Sequence, residues 1–152
     1  AGLFNERHES VEDGRTIHAG TYNGNPINLA AAKATISALS CPGVYERMHE
    51  HGQALRGTLE RSAAECSVAA CTAGVGAVFG LHFGLPTPPR TYRDTLAADG
   101  AQLSQFRATM LRNGVQLLPD GRWYVGAVHG DAERAIASLA IKQSFVEMSG
   151  CD

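Results

Sequence analysis

Residues His18 to Pro26 read His-Ala-Gly-Thr-Tyr-Asn-Gly-Asn-Pro, a glycine-punctuated loop that runs straight into the start of a helix. Asn25 is a good capping residue, and Pro26 suits the first helical position, where its missing N–H costs nothing. Such a loop exposes backbone N–H groups, and the helix dipole adds partial positive charge. Together they favour an anion such as a phosphate. The Thr21 hydroxyl can donate one more hydrogen bond. Many glycine turns precede helices and bind nothing, so on these residues alone an anion site and a plain connecting turn both stand.

Other side chains with chemical potential are scattered. Arg122 follows Asp120-Gly121. Its guanidinium could hold a substrate carboxylate through two parallel hydrogen bonds, or it could be a solvated arginine at a turn. His82 and His129 have the right type for general bases, but their positions suit a strand face and a helix entry. His49 and His51 sit two residues apart on a predicted helix, the wrong spacing for a shared metal ion, and read as surface. Four cysteines, Cys41, Cys66, Cys71 and Cys151, match no zinc spacing, and Cys66-x4-Cys71 is too loose. No metal is expected, and reduced thiols are expected. Only two lysines are present, Lys33 and Lys142, each inside a predicted helix.

The elements that must position these groups follow from periodicity and punctuation. A helix over 27–39, rich in alanine and leucine, starts at Asn25-Pro26 and stops at Pro42-Gly43. Its small-residue surface suits close packing against another helix or a sheet. A second helix runs over 44–66, with Val44, Met48, Leu55, Leu59 and Cys66 at helical spacing. Strands are predicted at 67–72 and 75–83. In the latter Val75, Ala77, Phe79, Leu81 and Phe83 share one face, and Gly76, Val78, Gly80, His82 and Gly84 share the other. Residues 85–100 form a loop held open by Pro86, Pro88 and Pro89. A helix over 101–113 precedes Gly114. Strands at 115–118 and 123–128 flank the turn Pro119-Asp120-Gly121. A last helix is capped by Asp131, with Ile136, Leu139 and Val146 facing inward. This order predicts an α+β layer: a small, largely antiparallel sheet with helices on one face.

The 152 residues carry a net charge of -2, which gives no electrostatic reason to expect nucleic acid or an anionic membrane as partner. No apolar run approaches the roughly 20 residues that a membrane helix needs. No secretion leader is expected at the start, and Ala1 in place of Met suggests a trimmed chain or a start inside a longer frame.

Gly20-Thr21-x-x-Gly24-Asn25-Pro26 resembles the motif of the class III, fold-type I pyridoxal-phosphate (PLP) aminotransferases. It looks most like the branch containing glutamate-1-semialdehyde 2,1-aminomutase and related amino-acid transaminases. The resemblance continues through Pro42-Gly43-Val44-Tyr45, Gly76-Ala77-Val78-Phe79-Gly80, Leu118-Pro119-Asp120-Gly121-Arg122-Trp123-Tyr124 and His129-Gly130-Asp131. It thus covers nearly the whole chain in order.

The resemblance implies that residues 1–25 end a large cofactor domain, 26–41 form a connecting helix, and 42–152 form a C-terminal small α+β domain. It implies PLP as cofactor and a cytoplasmic homodimer acting on an amino-acid substrate. Thr21, with Gly20 beside it, would contact the PLP phosphate of the partner subunit, and Asn25 and Pro26 would shape the helix start. The Schiff-base lysine and the acidic partner of the pyridine nitrogen would lie upstream, so neither Lys33 nor Lys142 fits and the chain alone would be inactive. Transamination is favoured over the aminomutase reaction. Residues 121–128 carry no carboxylate where aminomutases have one, and Ile17 stands where they have tyrosine. The family's His-Thr pair here is His129-Gly130. Apart from the resemblance, a free-standing α+β module that binds a partner or a small anion is the remaining alternative.

Overall fold

The computed structural model describes residues 20–150. The chain divides into two compact units, Ala1–Cys41 and Pro42–Asp152. The described part of the first is a turn and helix α1, Pro26–Leu39. Asn25 has an extended backbone, and its Oδ1 accepts from Ile27 N–H at 3.0 Å and Asn28 N–H at 3.3 Å. No residue of α1 is buried, although Ile27, Leu29 and Ile36 are large and apolar.

The second unit contains α2 (Val44–Glu65), β1 (Ala70–Val75), β2 (Val78–Phe83), α3 (Tyr92–Thr95), α4 (Gly100–Arg112), β3 (Arg122–Tyr124) and α5 (Asp131–Ser149). The three strands form one antiparallel sheet in the order β1-β2-β3. Helices α2 and α4 pack on the sheet, and α5 packs on both. The expected α+β architecture is therefore present.

Alternation in β2 explains the layering. Phe79, Leu81 and Phe83 are nearly inaccessible, while Val78 is exposed and His82 half-buried. Facing them are Leu59 of α2, Phe106 and Met110 of α4, and Ile141 and Phe145 of α5. Phe83, Phe106 and Phe145 form a tilted triad with centroids 4.9–6.1 Å apart. Phe79 stacks on Trp123 at 5.6 Å, joining β3 to the core. Each such side chain removed from water contributes on the order of 1.5–3 kcal/mol.

Glycines fix the distance between α2 and the β1–β2 turn. Gly74 and Gly76 both have positive φ, at 147° and 54°. A Cβ on Gly52 would collide with the Gly76 carbonyl oxygen. Arg56 ties the same layers together: its Nε donates to the buried Thr72 hydroxyl at 2.9 Å and its Nη1 to the Gly74 carbonyl at 3.1 Å. The Thr72 hydroxyl in turn donates to Glu60.

Several sequence expectations are corrected. Residues 115–118 are not a strand, because Leu118 leads into a tight turn closed by Gly121 N–H on the Leu118 carbonyl and no partner strand lies alongside. The strand expected at 123–128 shrinks to Arg122–Tyr124, its continuation bending at Gly126. The loop at 85–100 contains the short helix α3, closed by a capping box between Thr91 and Asp94. Ile136, Leu139 and Val146 are exposed, not inward. Helix α5 carries two apolar stripes, and the one containing Ala140, Ile141, Ser144 and Phe145 faces the core. Asp131 does not cap α5. It is the first helical residue, and the Glu133 carboxylate accepts from Gly130 N–H at 2.8 Å instead. Cys66, which ends α2, is disulfide-bonded, whereas Cys41 and Cys71 are free, so the expectation of reduced thiols fails at Cys66.

Candidate functional site

The Gly20–Asn25 segment is a double turn. Asn23 N–H donates to the Gly20 carbonyl at 3.0 Å, and Asn25 N–H donates to the Tyr22 carbonyl at 3.2 Å. Gly24 takes the left-handed conformation, φ +76°, that the second turn requires. This geometry revises the picture of an open helix tip. Pro26 has no N–H, and the Asn25 side chain already satisfies the amides of Ile27 and Asn28. The amides of Ile27 and Asn28 are therefore satisfied within the chain, which leaves the turn before α1 as the part with an unbonded donor. Thr21 is exposed there, and its hydroxyl makes no hydrogen bond among the described residues. A free hydroxyl donor beside a glycine turn, with the positive end of the helix dipole behind it, fits a phosphate group.

Arg122 lies in the second unit at the start of β3, on the wall of a cleft of about 580 Å³. Trp123, Val125, Leu55, Leu117 and Ala137 also line this cleft. The Trp123 indole N–H is buried and makes no hydrogen bond among the described residues. The guanidinium is not free. Its Nε donates to Asp120 Oδ2 at 2.6 Å, and its Nη2 pairs with the same oxygen at 2.5 Å. The Arg122 backbone N–H also donates to Asp120 Oδ1 at 3.2 Å. Donation from Arg122 is the largest cause holding the Asp120 carboxyl below its ordinary range, and Asp120 in turn raises Arg122. The sequence placed Asp120 in a turn and missed its grip on Arg122. The signal was there in the Asp-x-Arg spacing across a glycine.

Of the histidines, His51 and His129 line the same cleft as Arg122, whereas His49 and His82 do not. His82 projects from β2 beside Cys71 of β1, its direct cross-strand neighbour. Burial lowers the His82 pKa from its ordinary value of 6.5, which favours the neutral ring. His129 Nδ1 accepts from Gly126 N–H at 3.1 Å, so the neutral ring carries its proton on Nε2. His51 Nε2 lies 3.6 Å from Asp131 Oδ1, and His49 lies on the exposed side of α2. Among the described residues no three His, Cys, Asp or Glu side chains cluster as metal ligands. No described helix is long and apolar enough to cross a membrane. Lys33 on α1 and Lys142 on α5 are both exposed. Ile17 lies outside the described residues.

No family model matches the chain. It is 34% identical over 122 residues to the glutamate-1-semialdehyde 2,1-aminomutase of Nitrosospira multiformis, a match covering 79% of this chain and 28% of that protein. Among solved structures, it superposes on a β-phenylalanine aminotransferase from Variovorax paradoxus with TM-score 0.75 and 28% identity, over 89% of this chain and 31% of the other. It superposes equally well on a transaminase with PLP bound, at TM-score 0.73 and 22% identity, again over 89% of this chain and 30% of that one. The chain thus spans under a third of the length of the proteins it matches. With the α+β layer in place, the sequence relatives and the shared fold make the chain class III aminotransferase-like, matching part of the fold-type I pyridoxal-phosphate-dependent enzymes.

Proposed function

We propose that this chain is part of a PLP-dependent transaminase that moves an amino group between an amino acid and a keto acid or aldehyde. The observation that carries the reading is the Thr21 hydroxyl, unbonded among the described residues, on a closed turn, in a chain that matches aminomutases in sequence and transaminases in fold over most of its length. Gly20 and Thr21 hold the cofactor phosphate, reaching across a homodimer boundary to the partner subunit's site. PLP, when bound, supplies an electron sink that labilises bonds at the amino-acid Cα. Arg122 binds the carboxylate of the amino-acid substrate, beside the apolar wall that Trp123, Val125 and Leu117 give the same cleft. The reactive lysine lies in polypeptide outside residues 1–152, because both lysines here sit on exposed helix positions.

A second reading, an aminomutase, is favoured by the name of the curated relative. The absence of a carboxylate in residues 121–128 speaks for transamination. The test uses the full-length parent. Consumption of an amino donor that depends on a keto-acid acceptor supports transamination, whereas isomerisation of glutamate-1-semialdehyde with no second substrate supports the aminomutase. Neither activity, and no PLP bound, would leave a binding module and refute both. Residues 1–152 alone should leave the absorbance of added PLP unchanged and yield no lysine adduct after borohydride treatment.

A further inference from the structure

The grip of Asp120 on Arg122 has a directional consequence. A guanidinium offers two edges suited to a carboxylate: the side edge, Nε with one Nη, and the end edge, Nη1 with Nη2. Asp120 Oδ2 takes the side edge, contacting Nε at 2.6 Å and Nη2 at 2.5 Å. Its other oxygen is fixed by the Arg122 backbone N–H, so the carboxylate cannot swing away with the side chain. The connecting turn is itself rigid. Gly121 sits at φ +76°, and its N–H closes on the Leu118 carbonyl. A Cβ on Gly121 would meet the Leu81 carbonyl oxygen at 2.8 Å, so the turn is packed against β2.

We propose that Asp120 is the positioning residue for Arg122. It occupies the side edge of the guanidinium and presents only the end edge to a substrate carboxylate. This inference rests on the reading of Arg122 as the substrate's carboxylate partner. Arginine is a long side chain with considerable rotamer freedom, and at this exposed turn Asp120, with a lesser hydrogen bond to Tyr124, is what restrains it among the described residues. With Asp120 in place, that freedom is removed before the substrate arrives, so less ordering remains to be done on binding. The direction of the remaining N–H bonds also sets the plane in which the substrate carboxylate lies, and thereby where the amino group points.

The test is Asp120→Asn in the full-length enzyme. Asparagine keeps an oxygen for the Arg122 backbone N–H, so the turn is retained, but it loses the charge that holds Nε and Nη2. We expect KM for an amino-acid substrate to rise about threefold to tenfold with kcat nearly unchanged. The dissociation constant of the unreactive acid propionate, from titration calorimetry on the same protein, should rise by the same factor. Binding of neutral propionamide should not move. An unchanged or lowered KM and propionate constant in Asp120→Asn would overturn the proposal, since Asp120 would then be a bystander or a competitor. Arg122→Gln separates the two levels. If it leaves KM and propionate binding untouched, the carboxylate role of Arg122 itself is wrong; if it weakens both while Asp120→Asn does not, only the positioning role fails.

Discussion

Two glycines on helix α2 should respond with opposite sign to the same substitution. Replacing an interior helical glycine by alanine gains about 0.8–1 kcal/mol of intrinsic helix stability. At Gly57 the new methyl meets the Arg61 Nη1 at 3.0 Å, the far end of a flexible side chain that can step aside. Gly57→Ala should therefore stabilise the second unit by about 0.5–1 kcal/mol. At Gly52 the methyl collides with the Gly76 carbonyl oxygen, and it also reaches the Gly76 carbonyl carbon at 2.9 Å and the Ala77 Cα at 3.1 Å. These are backbone atoms of a turn already held at positive φ, with Arg56 bonded to its Gly74 carbonyl. Overpacking of this kind costs typically 1–3 kcal/mol, and a backbone partner puts it at the upper end. Subtracting the propensity gain leaves Gly52→Ala destabilised by about 1–2 kcal/mol. Urea denaturation followed by far-ultraviolet circular dichroism measures both variants against the parent. Equal stabilisation by the two substitutions would refute the claim that α2 rests directly on the hairpin backbone.

Further outcomes follow from other contacts. Thr21→Ala in the full-length enzyme should weaken PLP retention by about 1.5–3 kcal/mol, the worth of a hydrogen bond to a charged group. Fluorescence titration of the apoenzyme with PLP checks this, and unchanged affinity removes Thr21 from the site. Phe106→Ala should cost about 3–5 kcal/mol, because the ring is inaccessible and touches both Phe83 and Phe145. A loss below 1 kcal/mol would mean that the triad is not the centre of the core. His82 has a pKa lowered by burial, so the unfolded chain takes up its proton first. Its contribution to stability is present above its ordinary 6.5 and is lost as pH falls from there towards the lower folded value. His82→Gln should flatten that decline in urea midpoints measured between about pH 7.5 and about pH 5, a window that brackets the ordinary value. An identical slope in the variant would assign the decline elsewhere.

How far the sequence reached depended on whether a signal was local. The start of α1 was legible because Asn25 and Pro26 act on their own helix turn, and the buried face of β2 was legible from Phe79 to Phe83 because strand alternation needs no partner to be read, whereas Val75, expected on that face, ends β1 and is exposed. The orientation of α5 was not. Two apolar stripes share that helix, and only the Phe83–Phe106 surface decides that Phe145 turns inward while Ile136 and Leu139 stay outside. Residues 115–118 look like a strand by composition, yet a strand needs a hydrogen-bonded neighbour, and β3 already ends the sheet. For the candidate site, the Thr21 turn came from residue types in a row. The hold of Asp120 on Arg122 depends on a side-chain rotamer, and the closure of the α1 amides by Asn25 became a constraint on anion binding only once the bond distances were known.

That closure by Asn25 means that starting the helix and holding the proposed phosphate would draw on separate sets of atoms. A helix that needed its ligand to satisfy its leading amides would fray whenever the ligand left. Here α1 is fully initiated whether the neighbouring hydroxyl is occupied or empty. Residue 21 can therefore be exchanged, by selection or by an engineer, without unravelling the segment that follows. Recognition at this corner is free to drift while the scaffold keeps its shape.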